Sequence, residues 1–257
     1  MRAARRLRVV GSRLEAVVFD VDGTLVDSER HGHRVAFNAA FAASGLPYSW
    51  DEEGYGRWLS VHGGVRRIDA FLEEVGHPEA ERVELAPRLH AEKTRLLRQM
   101  IDAGRIPARP GMTELLANLA HSGVRLGVAT VGSAGWVTHL LGRLFPDATF
   151  TVVVTGGDVT DKKPHPACYL KALDGLGVAA DAAVAIEDSA TGLASARAAG
   201  LACVVVVNDY TSGEDMGRAG LVVDGVDAAA RVLADPHGLA PNLPLGRDAL
   251  EQVLATR

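Results

Sequence analysis

Apolar residues along this chain follow two rhythms. Leu14 to Phe19 (LEAVVF), Val124 to Thr130 (VRLGVAT), Thr149 to Val154 (TFTVVV), Ala182 to Ile186 (AAVAI) and Ala202 to Val207 (ACVVVV) are short, nearly continuous apolar runs, most of them rich in valine. A strand buried on both faces reads this way, because neither side of its pleat meets water. Met112 to His121, Ala134 to Leu144, Pro166 to Leu176 and Ala190 to Ala199 instead carry apolar residues at helical spacing. Strand and helix alternate, which predicts an α/β chain with a doubly wound, Rossmann-like parallel sheet.

The interval from Ser28 to Arg105 breaks the alternation. Its spacing is helical almost throughout, best seen at Leu85, Leu89, Leu96, Leu97 and Met100, and no strand-like run appears. This predicts a helical cap of residues 28–105 inserted into a discontinuous core of 14–27 and 106–240, the chain re-entering near Arg109-Pro110-Gly111. Three prolines and two glycines between Asp235 and Gly246 predict a loosely docked last helix in a tail of 241–257. Residues 1–13, with five arginines and no acid, read as a second, frayed basic tail rather than a targeting segment.

Composition narrows the function. With 27 Lys and Arg against 32 Asp and Glu, the chain lacks the overall basic footprint of a nucleic-acid binder. No window approaches the roughly 18 consecutive apolar residues of a membrane span. Only Cys168 and Cys203 occur, too few for a disulfide framework, so both read as core residues of a reduced compartment. A cytoplasmic monomer acting on a small molecule is the expectation, with neither nucleic acid nor membrane as partner.

In open parallel sheets the ligand crevice lies beyond the carboxyl ends of the strands. There the sequence places Asp20, Asp22 and Thr24 after the first strand, Thr130 to Ser133 after the second, and Glu187, Asp188 and Ser189 after the fourth, with Lys162 and Lys163 before a Pro-His-Pro helix start. Carboxylates clustered in a crevice repel one another unless a cation offsets them. An all-oxygen donor set favours a hard ion, Mg2+, which keeps several waters and shares substrate phosphate. Metal, lysine and a carboxylate suit phosphoryl transfer, in which a carboxylate can be the nucleophile. Alternate residues of an extended chain face the same way, so Asp20 and Asp22 can reach one substrate. If Asp20 stays ionised on the metal, its charge raises the pKa of Asp22, which then serves as acid and base.

Asp20-Val21-Asp22-Gly23-Thr24-Leu25, then Thr130, Lys163 and Glu187-Asp188, resemble the four motifs of the haloacid dehalogenase superfamily of phosphohydrolases. The resemblance implies Asp20 as nucleophile, Asp22 as acid/base, and Thr130 and Lys163 on the phosphoryl oxygens. It implies Mg2+ on Asp20, the Asp22 carbonyl and Asp188, with Glu187 as ligand or as partner of a ligand. True dehalogenases of this superfamily lack the second aspartate, so Asp22 points to phosphate chemistry. In the cap, His33-Arg34-Val35-Ala36-Phe37-Asn38, Gly63-Gly64 with Arg67-Ile68, and His90-Ala91-Glu92-Lys93-Thr94 look like the CbbY branch, whose activity is xylulose 1,5-bisphosphate phosphatase. Substrate contacts are implied at Glu29, His33, Gly63, Gly64, Arg66, Arg67, His90, Lys93 and Ser133. Val65 and Arg66 depart from the lysine and glutamate usual there, and Arg66 is expected to replace the lost charge. The related β-phosphoglucomutase shares every core motif, which leaves a phosphosugar mutase as the alternative.

Other features have plainer readings. Gly175 to Ala180 satisfies a dinucleotide fingerprint as a string, but it follows a helix and precedes a strand, so it reads as a helix cap and turn. Gly132-Ser133-Ala134-Gly135 sits where a hydrolase nucleophile elbow would, yet position 131 is Val, not Gly. A non-catalytic phosphometabolite sensor would be expected to have lost Asp20 or Asp22, and both are present. His31 reads as a surface histidine; Trp50, Tyr55 and Trp58 read as cap core.

Overall fold

The structure, a computed structural model, describes residues 14–61 and 63–257. The arginine-rich segment 1–13 lies outside them. The five apolar runs form β1 (Ala16–Phe19), β2 (Arg125–Ala129), β3 (Phe150–Val154), β4 (Ala183–Glu187) and β5 (Ala202–Val206). Two short strands, β6 (Leu221–Val223) and β7 (Val232–Ala234), extend them to a seven-stranded sheet of order β3-β2-β1-β4-β5-β6-β7. Neighbours are parallel except β6 and β7, so the doubly wound sheet carries one antiparallel edge. β1 sits between β2 and β4, with Phe19 level with Val128 and Ile186. Winding proceeds outward from β1 in both directions, which opens a crevice at its carboxyl end.

Successive β1 residues go to opposite faces. Val17 and Phe19 join one apolar layer with α5 (Met112–His121), α6 (Ala134–Leu144) and α9 (Arg247–Leu254); Ala16 and Val18 join another with α7 (Ala167–Leu176) and α8 (Ala190–Ala198). Cys168 and Cys203 are buried free thiols in the second layer. The last helix corrects one expectation. Ala249, Leu250, Val253 and Leu254 of α9 are buried in the first layer, and Leu245 N donates to Val226 O at 2.8 Å. A proline-rich approach therefore leads to a docked helix, because its apolar stripe, spaced i, i+1, i+4, i+5, covers β4 and β5.

Residues 29–102 form a π-helical turn (Glu29–His33) followed by α1 (Arg34–Ala43), α2 (Glu52–Trp58), α3 (Gly64–Glu74) and α4 (Glu79–Asp102). They enclose their own core of Phe37, Phe41, Trp50, Tyr55, Ile68, Phe71, Leu72 and Leu89. The second half of α4 leaves it: Leu97, Met100 and Ile101 pack into the sheet's first layer. Arg98 Nε donates to Gly135 O at 3.0 Å and His139 Nε2 lies 2.7 Å from Asp102 Oδ1, both contacts joining α4 to α6. No described helix is long and apolar enough to cross a membrane.

Candidate active site

β1 delivers Asp20 to the crevice. Asp20 N donates to Ile186 O at 3.0 Å, prolonging the ladder to β4 by one bond, and the chain then turns back through Gly23. Gly23 has φ +82°, and a Cβ there would lie 2.1 Å from Asp188 Oδ2. Both the left-handed backbone and the missing side chain are thus required. β4 ends at Glu187, so Asp188 follows just beyond the sheet. Oxygens of Asp20, Glu187 and Asp188 lie within 4.8 Å of one another, and all three residues are buried.

One ammonium enters this acidic cluster. Lys163 Nζ donates to Asp20 Oδ1 and to Glu187 Oε1, each at 2.6 Å. Tyr169 OH donates to the same Glu187 oxygen at 2.5 Å. Burial raises the Asp20 pKa to about 8, with Lys163 opposing and the neighbouring carboxylates adding to it. Burial likewise holds Asp188 well above the usual carboxylate range, and the charges of Asp20 and Glu187 add to that. Burial disfavours the Lys163 cation too, but Asp20 and Glu187 outweigh it and keep it charged. With all three carboxylates ionised, the Lys163 ammonium would leave two negative charges uncompensated in this buried, all-oxygen pocket, a cost already visible in the raised Asp20 and Asp188 pKa values. A hard divalent cation is the group such a donor set fits.

Asp22 belongs to a second group of side chains, with Glu29 and His33. Its Oδ1 accepts from Ser28 Oγ and lies 3.0 Å from His33 Nε2; Lys93 Nζ lies 2.5 Å from His33 Nδ1. With Lys93 donating to Nδ1, a neutral His33 carries its proton on Nε2 and donates it to Asp22. This corrects the expected titration. Burial alone would raise the Asp22 carboxyl, but His33, Ser28 and Lys93 outweigh it and the net shift is downward. The neighbour along the chain, Asp20, is not the neighbour that decides.

Beside this chain of contacts runs a second. Tyr55 OH donates to Glu29 Oε2 and accepts from Arg67 Nη1 at 2.8 Å, while Arg67 Nε donates to Trp58 O at 3.0 Å. Arg67 is buried, 9% exposed. Arg66 is exposed and bonds no described group, so the structure does not bring it to the site: adjacent positions on a helix point about 100° apart. Gly63 has φ +92°, and Gly64 lies so close under the His90 ring that a Cβ would meet Nε2 at 2.5 Å. Burial, with Lys93, His33 and Arg67 nearby, lowers the His90 pKa to about 4. Thr130 is fully buried at the end of β2, where its Oγ1 accepts from Gly132 N at 3.1 Å. Ser133 is exposed at the start of α6, and no described histidine bonds it, so the nucleophile-elbow reading finds no base. Gly177 is the left-handed cap of α7, the turn that the glycine-rich string suggested.

This arrangement has a counterpart in known proteins: residues 14–200 match the family model of haloacid dehalogenase-like hydrolases. The chain belongs to that family. Within it the chain falls in the CbbY-like branch. It is 40% identical over 220 residues to CbbY of Rhodobacter capsulatus, covering 84% of this chain and 96% of the relative. It is 39% identical over 217 residues to a CbbY-like protein of Arabidopsis thaliana, covering 81% of this chain and 68% of that one. A CbbY variant from Rhodobacter sphaeroides, solved with xylulose-(1,5)bisphosphate, is 38% identical and superposes with a TM-score of 0.74 over 82% of this chain and 94% of its own.

Three residues of this dehalogenase-like site escaped the sequence reading. Tyr169 anchors Glu187, and Tyr55 joins Glu29 to Arg67. Asn208 follows β5 and donates to Asp188 Oδ2 at 2.8 Å. The rule that favoured residues just past each strand covers Asn208 as well. The two tyrosines offered a different signal, a hydroxyl on a core aromatic that must find a partner.

Proposed function

We propose that this chain is a Mg2+-dependent phosphatase of small sugar bisphosphates, with xylulose 1,5-bisphosphate as substrate and Asp20 as nucleophile. The observation that carries it is the buried set of Asp20, Glu187 and Asp188 around the ammonium of Lys163 at the carboxyl end of β1. The CbbY structure with bound xylulose-(1,5)bisphosphate supports the choice of substrate. Asp20, Asp188 and the Asp22 carbonyl would hold Mg2+, which supplies charge neutralisation for the nucleophile and the transferring phosphoryl group when bound. Glu187, already bonded to Lys163 and Tyr169, acts as the anchor of Lys163.

An Asp20 oxygen attacks phosphorus, forming the acyl phosphate as the bond to the sugar oxygen breaks. Lys163 and Thr130 offset charge on the equatorial oxygens. Asp22 gives its proton to the leaving alkoxide. It then takes one from the water that attacks phosphorus and frees Asp20 and inorganic phosphate. In the arrangement seen, Asp22 is ionised against His33. A bound phosphate that draws Lys93 and His33 to itself removes the groups that depress the Asp22 pKa, so its proton affinity rises when substrate is present. The second phosphate would meet Arg67, His90 and Lys93 beside Gly63-Gly64. An arginine fork grips such a group bidentately, and binding energy there orients the distant reacting centre.

The test is phosphate release from xylulose 1,5-bisphosphate and from a monophosphate sugar, with Mg2+ and with chelator, for wild type and Asp20→Asn. The bisphosphate should be preferred, and both chelator and substitution should abolish turnover. Undiminished release in Asp20→Asn overturns the nucleophile; a preference for the monophosphate overturns the substrate.

A further inference from the structure

Asn208 lies just beyond the carboxyl end of β5 and belongs to none of the motifs that mark the family. Its amide is fixed at both ends. Oδ1 accepts from Tyr210 N at 2.9 Å, and Nδ2 donates to Asp188 Oδ2 at 2.8 Å. The flipped amide would set two donors face to face and an oxygen against a carboxylate, so the partners determine the orientation.

The backbone that carries Asn208 is held as firmly. Asn208 N donates to Thr211 Oγ1 at 3.0 Å, and Thr211 N and Ser212 N donate back to Asn208 O at 3.1 and 2.9 Å. Immediately before it, the Arg109 guanidinium donates to Val206 O and Val207 O, each at 2.8 Å, and also reaches Gly23 O. Gly23 closes the other side: a Cβ there would meet Asp188 Oδ2 at 2.1 Å and Asn208 Nδ2 at 2.7 Å. Asp188 Oδ2 is thereby pinned, which fixes the plane of the carboxylate, while Oδ1 bonds no described group; one of the two oxygens lies in the carboxylate cluster with Asp20 and Glu187.

We infer that Asn208 is a positioning residue for the cation: it fixes the plane of the Asp188 carboxylate beside Asp20, and it sets Mg2+ affinity. The chemistry of the donor suits this. A lysine or arginine in its place would neutralise Asp188 and compete with the ion, whereas an amide fixes the oxygen and leaves the charge intact. The inference rests on the proposed Mg2+ site. Groups that orient metal ligands typically change affinity about 10- to 100-fold when removed.

The experiment is calorimetric titration of the full chain with Mg2+ in the absence of substrate, alongside melting curves of the metal-free protein. Asn208→Ala should raise the Mg2+ Kd by about 10- to 100-fold. The KM for xylulose 1,5-bisphosphate at saturating Mg2+ should stay within about threefold. Asn208→Ser separates aim from turn geometry, because its hydroxyl can serve Tyr210 N but is too short to reach Asp188. It should lose Mg2+ affinity as Ala does, and it remains the test if Asn208→Ala does not fold. Asp209→Ala, which removes only the exposed pair with Arg30, should leave Mg2+ affinity unchanged. Wild-type affinity in Asn208→Ser shows that the residue only makes the turn and overturns the inference. A wild-type chain that gives no Mg2+ isotherm overturns the metal site itself, and this role with it.

Discussion

Replacing Lys93 with methionine should stabilise the protein while disabling it on bisphosphates. Lys93 is 5% exposed, its Nζ lying 4.9 Å from the Phe37 ring centroid and 2.5 Å from His33 Nδ1. Burial lowers its pKa from 10.5 to about 8, against the pull of Glu29 and Asp22 and with Arg67 adding to the depression. At 1.36 kcal/mol per pKa unit, keeping that ammonium charged in the fold costs about 3 kcal/mol. Below pH 8 both folded and unfolded chains hold the proton and the full cost is present. Between about pH 8 and 10.5 the unfolded chain binds more protons than the folded one, so stability rises with pH and the cost is relieved. Methionine keeps the volume without the charge, so Lys93→Met should gain roughly 1–3 kcal/mol at pH 7, or several degrees in Tm at about 2–4 °C per kcal/mol. It should also lack the wild-type rise in stability above pH 8.

The same charge should matter for substrate. A charge-assisted contact to phosphate is worth about 1.5–3 kcal/mol, so kcat/KM on xylulose 1,5-bisphosphate should fall by roughly one to two orders of magnitude. The wild-type kcat/KM profile, which reports the free enzyme, should descend near pH 8 as Lys93 loses its proton. That limb should be absent from Lys93→Met. The assays are melting curves and steady-state kinetics between pH 6 and 10 on both variants. A less stable Lys93→Met, or one that loses equally on bisphosphate and monophosphate, refutes the reasoning.

Two further outcomes follow from the geometry. Gly192→Ala should lose about 1–3 kcal/mol of stability and most activity, because its Cβ would fall 2.0 Å from Glu187 Oε2, and Glu187 is held by Lys163 and Tyr169 and cannot swing aside. Thermal melts check the first part, and loss without any change in Tm contradicts it. A phosphatase must admit water to the acyl phosphate whereas a mutase must exclude it, so free phosphate should appear faster than glucose 6-phosphate when β-glucose 1-phosphate is supplied. The reverse order would assign the chain to the mutases.

Strands and core helices were legible because their physics is local. A run such as ACVVVV has no face to offer water, and β5 is indeed buried along its whole length. β6 spans only three residues and β7 is exposed throughout, so neither leaves such a trace. The last helix is docked although a proline-rich segment leads into it. An approach segment does not determine whether an amphipathic stripe downstream finds a partner. The Asp22 charge state is hidden from the sequence for a related reason. Sequence shows the neighbour two residues away, whereas the groups that set this carboxyl arrive from the first cap turn and from α4.

The choice between Arg66 and Arg67 was open to a closer reading of pattern. Ile68, Phe71 and Leu72 form the buried stripe of α3, and position 67 shares that face with residue 71 while 66 falls on the other side. An arginine on a buried face needs acceptors. It finds them in two backbone carbonyls and in Tyr55, itself bonded to Glu29. Tyr55 thus has two roles at once: its ring fills the cap core and its hydroxyl joins the charged residues Glu29 and Arg67. Nothing in composition separates such a tyrosine from a purely structural one. What separates them is a polar end whose partners come from other elements, and that is also why the polar contacts of the cap were the least legible part of this site.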